Sequence, residues 1–261
     1  MKIDNEFKDF RFNYYNIENP QRKNFSKHMH YECEILLFEE GEVSYVIEDK
    51  RYLLQPYDLL VIPSARYHFA NILSSNKYSR YMIDFSAELG GEELVGEVCS
   101  DVRYFHLDKA SPIVHTFRVL RDISVSREEK YNELACKTLL TEILLHLQRL
   151  RMDEAPSDNV TSVSDCSHIV DYINQNLTAI TGLDELANHF FTSKSTLSHQ
   201  FKESMGISLM KYVKNKRLLL AQELLRSGKK PTEIYTLCGY KDYATFFRAY
   251  VAYFGRSPRD K

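Results

Sequence analysis

DELANHFFTSKSTLSHQFKESMGIS, residues 184–208, and TEIYTLCGYKDYATFFRAYVAYFGRS, residues 232–257, are one pattern written twice. Leu197 and Phe246, Phe201 and Tyr250, Gly206 and Gly255, and Ser208 and Ser257 stand 49 residues apart. Glu185 and Glu233, and Leu186 and Ile234, stand 48 apart, so one residue is inserted in the turn of the second copy. Each copy predicts a short helix, a turn and a longer helix. That is the layout of a helix-turn-helix, whose second helix enters the major groove of DNA while the first braces it across the backbone.

In the first copy, residues 184–189 form the bracing helix and Ser193 supplies the N-cap of the next one. Leu197 and Phe201 turn inward at i and i+4, which leaves Ser195, Thr196, Ser198, His199 and Lys202 to face DNA. In the second copy Pro231 opens the bracing helix and Asp242 caps the recognition helix. Phe246 and Tyr250 turn inward there, and Lys241, Tyr243, Ala244, Thr245 and Arg248 face DNA, with Arg248 suited to bidentate readout of guanine. Between the copies, LMKYVKNKRLLLAQELLRSG (209–228) reads as a helix whose Leu and Ala residues join both units. Its Lys211, Lys214, Lys216 and Arg217 are basic, and Lys216 is assigned to the phosphate backbone; the alternative for this group is a solvated helix face.

Charge divides the chain at the same place. Residues 165–261 hold 14 Lys and Arg against 9 Asp and Glu, whereas residues 1–164 hold 20 against 27. An acidic half joined to a basic one assigns the polyanion to the second half alone. MDEAPSDNVTSVSD (152–165) is polar and lacks aromatic residues, so a linker is expected over 152–164. A chain of 261 residues with 44% hydrophobic and 13% aromatic side chains builds two packed domains and is not a disordered protein. No stretch approaches the apolar length of a membrane span, and MKIDNEFKDF lacks the apolar run of a signal peptide. A cytoplasmic protein with no membrane partner is therefore expected. The five cysteines stand singly, without the close pairs of a zinc site or redox motif, and read as reduced core residues.

The acidic half begins as strands. YECEILLF (31–38), VSYVIE (43–48), LLVIP (59–63) and YSRYMIDF (78–85) are β-rich, and DK at 49–50 and QPYD at 55–58 are turns. Short strands at this spacing predict a sandwich or barrel over 1–110. A helical segment is expected over 111–151, since Tyr131, Leu134, Ala135, Leu139, Ile143 and Leu147 recur at helical spacing in residues 126–150. It either covers the barrel or pairs two subunits into a homodimer. HMHYECE (28–34) places His28, His30 and Glu34 at i, i+2 and i+6, on one face if the stretch is a strand, and His68 follows in IPSARYHFAN. Imidazole and carboxylate suit a first-row divalent metal, and they equally suit the polar wall of a metal-free pocket, in which Tyr45 and Tyr81 stack on a small ligand.

Two resemblances sharpen these readings. H-x-H-x(3)-E-x(6)-G, read as His28, His30, Glu34 and Gly41, resembles the first motif of the cupin superfamily, and residues 63–71 resemble its second motif with His68. The resemblance implies a β-barrel in which these residues hold a metal. Tyr57 and Ala65 stand where the second motif normally has glycine. Residues 166–261 resemble the DNA-binding domain of the AraC/XylS family of bacterial transcription regulators through LDELA, S-x-x-x-L-x-x-x-FK, G-I-S, K-x-x-R-L-x-x-A-x-x-LL, EI, GY and G-x-SP. Tyr235 and Val251 depart from the family's usual alanine and lysine. The resemblance implies a two-domain α+β regulator: a cupin-like effector domain, then an all-α domain with two helix-turn-helix units, partnered by double-stranded DNA, a small effector such as a sugar, and RNA polymerase. On this reading the protein is not an enzyme, needs no cofactor, and more often activates than represses. The alternative is a cupin metalloenzyme or metal sensor fused to a DNA-binding domain.

Overall fold

The computed structural model describes residues 1–21, 27–86, 89–125, 131–150, 160–162 and 166–260. The chain divides into two compact units, Met1–Thr161 and Ser162–Lys261. Among the described residues no helix is long and apolar enough to cross a membrane.

The first unit is built on two sheets, of six and four strands. Strands β1 (Lys2–Glu6), β2 (Phe10–Ile17), β3 (Cys33–Glu40), β6 (Asp58–Ile62), β8 (Tyr78–Phe85) and β9 (Arg103–His106) form the larger sheet, in the order β1-β2-β8-β3-β6-β9. The smaller sheet holds β4 (Val43–Ile47), β5 (Lys50–Leu54), β7 (His68–Ile72) and β10 (Val160–Ser162), in the order β10-β5-β4-β7. Alternation along β3 explains both cores. Leu36 and Phe38 point between the sheets, where they meet Tyr45, Ile47, Leu60 and Tyr78. Ile35 and Leu37 point to the other face of the larger sheet, which is covered by α1 (Glu92–Val98), α2 (Pro112–Val125) and α3 (Asn132–Arg149) through Val95, Phe117, Leu140 and Leu144.

Several expectations are corrected here. The pair at 49–50 is not the turn: Glu48 and Asp49 turn the chain and Lys50 already begins β5. Part of the stretch assigned to the linker, Val160–Ser162, is an edge strand beside β5, and Val160 packs on the inter-sheet core. Residues 152–159 and 163–164 of that stretch lie outside the described residues. In α3 the buried face is Cys136, Leu140, Ile143, Leu144 and Leu147, whereas Tyr131 and Leu134, read as part of it, are 65% and 64% exposed. The start of that helical reading, residues 126–130, lies outside the described residues.

Two turns of the first unit adopt the left-handed conformation without glycine. Tyr57 and Ala65 take φ of 72° and 58°, the left-handed conformation that glycine adopts without strain. Gly41 is held more tightly, at φ +124° with a Cβ position only 2.8 Å from the Lys77 carbonyl oxygen.

The second unit contains α4 (Ser167–Asn176), α5 (Leu183–His189), α6 (Lys194–Met205), α7 (Leu209–Arg226), α8 (Pro231–Leu237) and α9 (Tyr243–Phe254). The repeat is visible in its caps. Ser193 Oγ accepts from the Thr196 amide at 3.0 Å, and Asp242 Oδ1 accepts from the Thr245 amide at 2.8 Å. Gly206 and Gly255 end α6 and α9 in the left-handed conformation, with φ of 70° and 69°. Helix α7 packs on α6, α8 and α9 and is the common spine.

Candidate effector site and DNA-reading helices

The polar cluster forms at one end of the inter-sheet core. His28 and His68 pair as an isolated bridge, with the His28 amide donating to the His68 carbonyl at 3.2 Å and the His68 amide donating to the His28 carbonyl at 2.9 Å. Only Glu34 of the HMHYECE trio lies on a regular strand, since β3 begins at Cys33. The backbone bridge, and not strand alternation, brings the two motifs together. His28, His30, Glu34 and His68 each offer one ligand atom, all within 4.8 Å of one another.

Hydrogen bonds fix which atoms face inward. The His30 Nδ1–H donates to the Glu32 carbonyl at 2.9 Å and the His68 Nδ1–H to the Arg66 carbonyl at 2.8 Å, because a carbonyl oxygen only accepts. Both Nε2 atoms therefore turn to Glu34 Oε2, at 3.5 Å from His30 and 3.3 Å from His68. None of these three buried atoms has a hydrogen-bond partner among the described residues. The other Glu34 oxygen accepts from the Tyr45 hydroxyl at 3.0 Å. Burial opposes ionisation of Glu34, but the facing imidazoles of His68 and His30 outweigh it and hold the carboxyl well below its usual range. Burial likewise opposes a charged His30, yet Glu34 pushes it up to about 9. Tyr45 is pushed well above its ordinary value by burial and by Glu34.

If both imidazoles are neutral, lone pairs of two nitrogens and a carboxylate converge on one point. Such a convergence is relieved by a proton, a hydrogen-bond donor or a cation. Three imidazoles and a carboxylate, with the His30 and His68 ring N–H groups held by backbone carbonyls, fit a first-row divalent ion. His28, His30, Glu34 and His68 are the residues that would hold it.

Tyr81 does not belong to this cluster. It pairs with Leu37 across β8 and β3 and packs with Phe12 and Phe117 in the helix-covered core, on the opposite face of the larger sheet from Glu34. Its hydroxyl lies 3.4 Å from Glu39 and 3.2 Å from Arg121. The polar residues on the inward face of β8 are Arg80 and Asp84. Asp84 stands directly across from Glu34, 4% exposed, and takes the Arg11 guanidinium on Oδ2 at 2.8 and 3.0 Å. Burial first, then the Glu34 charge, raises its carboxyl. The alternation of YSRYMIDF carried this signal, two polar residues four apart on an apolar strand.

In the second unit Ser195, Thr196, His199 and Lys202 are exposed on α6 and Ser198 is half-buried. Lys241, Ala244, Thr245 and Arg248 are exposed at α9, where Arg248 lies 3.4 Å from Thr245 Oγ1. Tyr243 is only half-exposed, packed on Phe246 and Tyr235. Lys216 does not reach solvent as a phosphate ligand must. It is 6% exposed and its ammonium donates to Asn174 Oδ1 in α4. Arg217, also read as a basic surface group, is spent on backbone carbonyls.

Residues 186–260 match the family described as helix-turn-helix domain, and residues 14–144 match the AraC-like ligand binding domain. The chain belongs to the AraC family. It is a DNA-binding transcription regulator with a ligand-binding domain. The arabinose operon regulatory protein of Escherichia coli is 22% identical over 220 residues, covering 82% of this chain and 74% of that protein. The probable transcriptional regulator LumQ of Photobacterium leiognathi is 35% identical over 91 residues, 34% of this chain and 37% of LumQ's length. Among solved structures, fatty-acid-bound ToxT of Vibrio cholerae aligns over 99% of this chain and 95% of its own, at 13% identity and a TM-score of 0.38. The departures from the usual family pattern have local consequences. Tyr235 fills part of the α8/α9 core and meets Tyr243 edge-on at 6.1 Å, and Val251 places a half-exposed apolar group on α9.

Proposed function

We propose that this regulator binds a small hydroxylated effector, a carbohydrate, in the inter-sheet cluster and activates transcription through its paired helix-turn-helix units. The convergence of His30 Nε2, His68 Nε2 and Glu34 Oε2 carries the reading. They set a carboxylate oxygen and two ring nitrogens, groups that accept or donate according to where the proton sits, at a spacing that adjacent sugar hydroxyls, which do both, can match. Tyr45, with its hydroxyl on Glu34, orders the carboxylate. On DNA, Ser195, Thr196, Ser198, His199 and Lys202 of α6 form the first reading surface, and Lys241, Tyr243, Ala244, Thr245 and Arg248 at α9 form the second. Lys216 is excluded from it by burial. A homodimer forms through α3, where Tyr131, Leu134, Thr138, Thr141 and Leu145 recur at alternating spacings of three and four and the three large apolar residues are 65%, 64% and 44% exposed. The protein works where DNA and RNA polymerase are, in the cytoplasm.

A reporter fused to DNA bound by the protein, challenged with a panel of carbohydrates and with long-chain fatty acids, tests this. Induction by one sugar class that is lost in His30→Ala is the expected result; induction by fatty acids alone, or by nothing, counts against it.

The same convergent atoms support a second reading, a metal sensor. Elemental analysis of protein purified without added metal separates the two. One equivalent of a divalent ion, lost in His30→Ala, selects the sensor.

A further inference from the structure

The guanidinium of Arg217, in the middle of α7, joins the two helix-turn-helix units through backbone carbonyls. Its Nε donates to Leu177 at 3.0 Å and its Nη2 to Ile180, both in the turn that leads into α5. Its Nη1 donates to Gly239 at 3.0 Å, in the turn between α8 and α9. The first turn sets the entry of unit one and the second sets the entry of unit two. Gly239 is shaped to this contact. At φ +76° its Cβ position would lie 2.6 Å from the Thr178 carbonyl oxygen and 2.8 Å from the Arg217 guanidinium carbon.

Apolar packing along α7 holds both units but is non-directional, so it restrains their relative tilt only loosely. A planar fork with three acceptors at fixed angles restrains it strongly. We infer that Arg217 is a positioning residue that sets the separation and tilt of α6 and α9, and thereby the base-pair spacing the protein accepts between the two segments it reads. This rests on the reading that both helices enter DNA.

The test uses the full chain. A binding site is selected from a random pool, footprinted, and remade with one base pair inserted or removed between the two protected segments. For the wild type each change is expected to cost about tenfold in affinity, because rigid helices make the DNA absorb the mismatch. Arg217→Lys keeps the charge but cannot span three planar acceptors, and Gly239→Ala pushes the fork aside. Both are expected to bind the original spacing about tenfold more weakly and to lose less than about threefold on either change. A purely structural role would lower melting temperature and weaken all three duplexes equally, leaving the wild-type spacing penalty intact; that result overturns the inference. Failure of both variants to fold also overturns it, since Arg217 would then be a folding contact. Protection of a single segment by the wild type would sink the two-helix reading itself.

Discussion

Lys216 shows how one side chain's role depends on what stands opposite it. By residue type and helix position it is a phosphate ligand; in the fold it donates to Asn174 and lies 5.3 Å over the Tyr212 ring. Removing a hydrogen-bonded buried charge costs about 1–3 kcal/mol. Lys216→Ala is therefore expected to lower the melting temperature while leaving unchanged the slope of log affinity against log salt. Titrations at several salt concentrations check this, and a slope reduced by about one would restore the phosphate contact. Arg248 is the contrasting case, exposed at α9, where its guanidinium lies 3.4 Å from Thr245 Oγ1. Arg248→Ala should cost about 1–3 kcal/mol and relax preference at one base pair in sites selected from a random pool.

At the scale of elements, turns and caps decide where helices and strands begin. The Thr245 amide and hydroxyl hold the Asp242 carboxyl below its ordinary 3.8. A depressed carboxylate contributes stability that is present above the unfolded value and lost as pH falls through the folded one, so the α9 cap weakens below about pH 4. Asp242→Asn keeps the shape without the charge. Its melting temperature should lie below wild type at pH 7, with a deficit that shrinks as pH falls below about 4; a deficit independent of pH would show that charge is not the cause. The turn before β7 offers a steric test. Ala65 sits at φ 58°, where a β-branched side chain is strained. Ala65→Val is expected to cost about 1–2 kcal/mol and Ala65→Gly less than about 1 kcal/mol, measured by denaturant unfolding.

Across the whole molecule the two units divide the work by charge and chemistry. The second unit carries the basic excess and a complete repeat around α7, so residues 166–261 expressed alone should fold and bind DNA, with affinity falling steeply as salt rises. Binding insensitive to salt would contradict an interface built on phosphates. His30→Ala, confined to the first unit, should abolish the effector response of the full chain and leave its affinity for DNA without effector unchanged. A parallel loss of that affinity would contradict the division.

Local periodicity made the second unit legible from residues alone: the 48 and 49 residue offsets, Ser193 and Asp242 as caps, Pro231 at a helix start and glycines at both helix ends are each set by neighbours within a turn of chain. The polar cluster was legible too, because His28, His30, Glu34 and His68 lie in two short motifs. What stayed hidden needed partners far along the chain. Which face of β8 looks between the sheets depends on its register with β3, so Tyr81 was placed with Glu34 although Arg80 and Asp84 hold that side. Val160–Ser162 reads as linker until β5 is there to pair with it. Lys216 and Arg217 look like surface cations because their acceptors, Asn174, Leu177, Ile180 and Gly239, lie 22 to 42 residues away. Periodicity records which way a side chain points along its own element; only packing supplies what it meets there.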